Sequence, residues 1–257
     1  MAGENESKAS RWWEFYFVRY AVGTVLGGAI AYAFCMNNSG LKPILFDASK
    51  GTLDSFTLML LLAYGLVYSY IASAPILVFH AGRFALKSWK RSSRKSKAAP
   101  LAILGLPVLV EFLYFYVWPD AGDPSQSLLI CAVYLLSAVF LLQLFVVILT
   151  FRSMTDVYAL YDKLAKRREN GVGGFVDSYR HLREHGNSFF IIFFEIVFGI
   201  IIFASPLLFR VGGWGVGGVA PADIVVHLIF VLLMWTFPAA LIWFVGVDLE
   251  KRFIGAP

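Results

Sequence analysis

Six apolar runs decide what this chain can fold into: roughly residues 15–36, 55–79, 101–118, 127–150, 188–210 and 223–247. Crossing a bilayer core takes about 20 apolar residues, and each run is near that length. In lipid each must be a helix, because only a helix satisfies its own backbone polar groups. The expected fold is all-α: a polytopic helical membrane protein of about six transmembrane helices with a small cytosolic helical hairpin. Composition points the same way. Charged residues make up 15% of the 257 positions, where a soluble domain carries about 25%. That is too few to cover a water-facing surface. Intrinsic disorder needs few apolar residues and a secreted scaffold needs many cysteines, so both are excluded. Cys35 and Cys131 sit inside apolar runs and read as small hydrophobes. The third run, with Pro107 and Glu111, is the shortest, and its full crossing is left open.

Lys and Arg set the orientation. Arg83, Lys87, Lys90, Arg91, Arg94, Lys95 and Lys97 lie in residues 80–100, and no acid lies among them. Residues 151–187 hold Arg152, Lys163, Lys166, Arg167, Arg168, Arg180 and Arg183. With Lys8, Arg11, Lys251 and Arg252, this side carries eighteen bases; the other carries Lys42, Lys50 and Arg210. The positive-inside rule then places both termini in the cytosol, as an even number of spans also requires. The chain divides into a cytosolic segment 1–14, transmembrane helices 1–4 within 15–150, a basic hairpin 151–187, helices 5–6 within 188–247 and a tail 248–257. The basic loop 80–100 joins the second and third helices and faces anionic lipid. The first run is too long for a signal peptide, and Glu4, Glu6 and Glu14 in its leader argue against one, so that helix is retained.

Within the hairpin, Met154, Val157, Tyr158, Tyr161, Leu164 and Ala165 recur at helical spacing. Asn170-Gly171 ends that helix, and a second short one carries Phe175, Tyr179 and Leu182 on one face. No helix breaker separates the fourth run from the first of these helices. The pattern predicts one rod over 127–168, about 60 Å long at 1.5 Å per residue.

Motifs for catalysis are thin. His181-Leu182-Arg183-Glu184-His185 spells H-x-x-E-H, an inverted zinc-protease pattern. It lacks a suitable third ligand: Glu195 lies in a run, Asp223 lies on the opposite side, and Asp248 and Glu250 lie in a short tail. Neither a metal nor another cofactor is expected, and the chain is not read as an enzyme. The glycines at 212, 213, 215, 217 and 218 read as an outer hairpin, not as an ion-selectivity loop.

Polar groups inside the runs carry more weight. Glu111 falls near the middle of the third run and Glu195 about seven residues into the fifth. A charged side chain at the bilayer centre costs about 2.5–3.5 kcal/mol on insertion scales, so it faces a bundle interior or a wet cavity. With Gln143 they mark either an ion path or hydrogen bonds between helices. Gly23 and Gly27 form a G-x-x-x-G, a helix-packing seam within one chain or between subunits.

The hairpin interleaves bases with aromatic rings: Tyr158, Tyr161, Lys163, Lys166, Arg167, Arg168, Tyr179, Arg180 and Arg183. Phosphates attract Lys and Arg, and nucleobases stack on rings. This layout, with the stretch FRSMTDVYALYDKLAKRREN…SYRHLREHGN as its ligand-facing part, resembles the membrane channel effectors of the bacterial Hailong anti-phage defence system. The resemblance rests on overall layout and on no diagnostic motif. It implies a homotetrameric channel in the inner membrane, held shut by a single-stranded DNA oligomer from a partner nucleotidyltransferase. Two other classes stand beside the channel reading. One is a secondary transporter, which would show matched broken helices in two halves. The other is a membrane-embedded metalloprotease resting on H-x-x-E-H.

Overall fold

The computed structural model describes residues 21–37, 55–90, 102, 105, 124–169, 189–204 and 221–254. Among these the protein is all-helical. The helices are α1 (Gly23–Asn37), α2 (Ser55–Ala72), α3 (Ala74–Lys90), α4 (Pro124–Arg152), α5 (Met154–Glu169), α6 (Phe189–Ala204) and α7 (Pro221–Ile254). Three stretches are long and apolar enough to cross a membrane: Ser55–Gly82, Leu128–Arg152 and Val225–Arg252. Helices α1 and α6 are apolar but shorter. The expected third run, 101–118, lies outside the described residues apart from helical Ala102 and Gly105.

The three membrane-length stretches are apolar on all sides. On α2 the buried positions are Leu61, Gly65, Tyr68, Ser69 and Ala72, while Phe56, Met59, Leu62, Val67 and Tyr70 are exposed. On α7 Val226, Phe230, Leu233, Phe237, Trp243 and Phe244 are exposed likewise. A water-facing helix puts polar residues on that side, so an apolar outer face fits lipid as the solvent.

The chain divides into two compact units. The first holds α1, α2, α6 and the start of α7 as far as Leu228. Its core is a seam of small residues. A methyl group at Gly27 would stand 2.6 Å from the Gly65 carbonyl oxygen, and one at Gly65 would stand 2.0 Å from the Thr24 carbonyl oxygen. The two backbones therefore touch, which only glycine permits. Phe34 and Cys35 continue the packing against Ile202, Phe203 and Leu228.

The second unit holds α3, α4, α5 and the rest of α7. Val78, Val147, Ala239 and Ile242 form its core. A smaller cluster joins Val157 to Val245, with Met154, Tyr158 and Leu160 around them.

Two helix breaks differ from the expected spans. The run 55–79 is interrupted at Ser73, between α2 and α3. Pro75 has no N–H to continue the ladder. The Ser73 hydroxyl donates to the Tyr70 carbonyl at 2.9 Å and its N–H to the Ser69 carbonyl at 3.0 Å. The second break replaces the expected rod. At Ser153 the N–H bonds the Thr150 carbonyl at 3.1 Å, three residues back, while the Thr150 hydroxyl donates to Val146 at 2.8 Å. Such hydroxyl back-bonding bends helices. The break at Ser153 separates α4 from α5, and Val157, only 1% exposed, packs beside Val245. At the other end of the chain, the expected tail from 248 is helical through Ile254.

Candidate functional site

Helices α1, α2 and α6 are built from apolar and uncharged residues, with one charged residue among them, Glu195. Its side chain is fully buried. Among the described residues neither carboxylate oxygen has a well-aligned donor, and the Ser69 hydroxyl lies beside it. The space around it is made by a missing side chain. Where Gly23 would carry a methyl group, the Ser69 hydroxyl oxygen lies 2.6 Å away and Glu195 Oε1 2.8 Å away. Gly23 on α1 thus leaves room for a carboxylate from α6 and a hydroxyl from α2 at one spot.

A second hydroxyl holds α6 in place. Tyr68 Oη donates to the Glu195 backbone carbonyl at 2.6 Å. That carbonyl belongs to a helix and is normally shielded by the side chain one turn on. The residue one turn on is Gly199, and a methyl there would stand 3.2 Å from Tyr68 Oη. The Tyr68 ring also packs against Phe198 with centroids 5.5 Å apart. Each helix therefore brings a pair of residues spaced one turn apart: Gly23 and Gly27, Gly65 and Ser69, Glu195 and Gly199. Of these six, Gly65, Ser69 and Gly199, along with Tyr68, were not singled out from the sequence. The small-x-x-x-small spacing of Gly65 and Ser69 was the signal available for two of them.

Gln143 lies in the other unit and is fully buried. Its amide donates to the Trp235 carbonyl at 3.4 Å, a long bond, and its Oε1 has no partner. Trp235 stands three residues before Pro238, which interrupts the α7 ladder. The Gln143 amide thus lies where a proline break loosens backbone carbonyls. Thr236 bonds back to Leu232 at 2.8 Å in the same turn.

On α5, Lys163 and Lys166 are exposed. Lys166 pairs with Asp162 at 2.9 Å. A surface pair of this kind is worth about 0–1 kcal/mol, so it does not preclude a stronger anion. Arg167 and Arg168 continue the same helix. Tyr161 is exposed, whereas Tyr158 packs beside Val157 and Val245 and is committed in part to the core. Glu111, Tyr179, Arg180, Arg183, the H-x-x-E-H run and the glycines at 212–218 lie outside the described residues. No group of three His, Cys, Asp or Glu side chains that would hold a metal ion occurs among the described residues. Comparison with protein-family models, with curated proteins and with solved structures finds no match.

Proposed function

We propose that this chain is a multi-pass ion channel of the cell membrane, working as a homo-oligomer with both termini in the cytosol. An anionic ligand on its cytosolic basic helix controls it. The observation that carries the reading is Glu195, a fully buried carboxylate that no charged side chain among the described residues of α1, α2 and α6 neutralises. Such a group is expensive in a membrane, and intramembrane carboxylates mark ion paths. A purely structural helix seam gains nothing from it, since Gly23, Gly27 and Gly65 already bring the backbones together.

The control element is α5 with Lys163, Lys166, Arg167 and Arg168. Its ligand is a nucleotide or short oligonucleotide, recognised by charge through the bases and by stacking on Tyr161. Binding at α5 is felt by α7 through the contact of Val157 with Val245. A ligand there biases conduction only by binding the closed and open arrangements unequally. In the bacterial defence setting that the layout suggests, loss of the ligand opens the pore and depolarises the cell.

The test measures two quantities on the purified full chain. Single-stranded DNA binding is followed over a salt series, and conductance is recorded in planar bilayers with and without the DNA. Binding should weaken steeply with salt through counterion release. Replacing Lys166, Arg167 and Arg168 together by Gln should flatten that dependence and uncouple conductance from DNA. Unchanged binding in the triple variant, or binding indifferent to salt, refutes the ligand site.

A further inference from the structure

A buried carboxylate needs a positive charge, and among the described residues α1, α2 and α6 supply none. In their described residues these three helices hold no second acid with which Glu195 could share a proton, and the one titratable side chain described on the start of α7 in this unit is the half-buried His227. The Tyr68 hydroxyl is spent on the Glu195 backbone carbonyl. What lies beside the carboxylate is the Ser69 oxygen, and both oxygens occupy the place where a Gly23 methyl would stand. Two oxygen atoms brought together inside an apolar wall suit a small hard cation better than any anion or apolar ligand.

We propose that Glu195, with the Ser69 hydroxyl beside it and Gly23 letting both oxygens approach α1, is an intramembrane binding site for a small monovalent cation. It makes the conducted ion a cation. The charge comes from a proton or from an alkali-metal ion, and the two make different demands. A proton needs only the Glu195 oxygens. An alkali ion also draws on the Ser69 oxygen. The conduction half of this inference rests on the channel reading above; the binding half does not.

The experiment uses the full chain in lipid nanodiscs and in planar bilayers. Unfolding in nanodiscs is measured against NaCl or KCl, with choline chloride holding ionic strength constant, and separately against pH. A cation that binds only the folded protein shifts the unfolding equilibrium by up to tenfold for each tenfold rise in its activity. Wild type should show that shift with alkali cation or with acid, and Glu195→Gln should abolish it. Ser69→Ala should weaken an alkali response about tenfold, as expected for loss of one hydrogen-bonding ligand to a charge. It should leave a proton response in place, so it identifies the source and serves if Glu195→Gln does not fold. In bilayers under a salt or pH gradient, the reversal potential should follow the cation, and Glu195→Gln should cut cation-over-anion selectivity at least about tenfold. A wild type indifferent to both alkali cations and pH overturns the site. So does a response unchanged in Glu195→Gln, or anion selectivity in wild type. Cation-linked stability without any conductance supports the site and overturns the channel reading instead.

Discussion

Gly65→Ala is the sharpest perturbation available to the packing of the first unit. The added methyl would stand 2.0 Å from the Thr24 carbonyl oxygen, 2.6 Å from the Gly28 nitrogen and 3.0 Å from the Gly28 Cα. All three are backbone atoms, so no side chain can swing aside. Ordinary contact for such a methyl begins at 3.4 Å, so α1 and α2 must part by about 1.4 Å along the shortest approach. A gap of ~0.5–1 Å already forfeits a quarter to a half of the dispersion well between facing atoms. Between lipid-embedded helices that close packing is the main attraction. Overpacking typically costs about 1–3 kcal/mol, and with backbone on both sides the upper end, about 3 kcal/mol, is expected here. Gly246→Ala is the matched control, because nothing lies within 4 Å of its methyl position. It sits inside α7, where Ala is favoured over Gly by up to about 1 kcal/mol. Both variants are compared with wild type by reversible unfolding in mixed micelles. Gly65→Ala matching wild type, or Gly246→Ala losing as much as Gly65→Ala, refutes the packing argument.

Three further perturbations probe other parts of the structure. Tyr68→Phe removes the 2.6 Å bond to the Glu195 carbonyl and should lower stability by about 1 kcal/mol while leaving the ring packed on Phe198; equal stability in the same unfolding assay would show that the bond contributes nothing. Val157→Ala empties the contact with Val245 and should cost about 1–2 kcal/mol. It should also speed proteolysis within 154–169 well beyond any change elsewhere in the chain, and uniform cleavage would count against α5 being docked there. For orientation, cysteines are introduced in a background with Cys35 and Cys131 replaced. Gly122→Cys should react with an impermeant maleimide outside intact cells, while Ser93→Cys and Val172→Cys should not, and labelling of Val172→Cys from outside would reverse the topology.

The helices were legible because a run of about 20 apolar residues has one stable form in lipid. The boundaries of α4 and α6 fall within a few residues of the runs at 127–150 and 188–210, apart from the C-terminal end of the latter, which lies outside the described residues. What faces what was not legible. In a soluble helix the polar face points outward and reveals the core, but α2 and α4 are apolar all round, so periodicity carries no direction. Gly23 and Gly27 were visible as a seam, but their partner Gly65 was not, because G-x-x-x-G does not say which helix it meets. The break at Ser73 had a signal in Pro75, two residues on. The break at Ser153 had a weaker one, a Thr150 hydroxyl that competes for a backbone carbonyl. Glu195 stood out as a charge in an apolar run. Its burial beside Ser69 and Gly23 depends on three helices meeting, which no single stretch of sequence displays.

The central claim is that the chain conducts ions through the membrane, and ion flux in proteoliposomes tests it most directly. Purified protein is reconstituted at a few oligomers per vesicle, an inward potassium gradient is set, and a voltage-sensitive dye follows the membrane potential without any ionophore. The expected result is rapid dye response in wild type, reduced by saturating single-stranded DNA on the cytosolic face and lost or altered in Glu195→Gln. A wild-type response no faster than that of empty vesicles, with and without DNA, in correctly inserted and monodisperse protein, would contradict it.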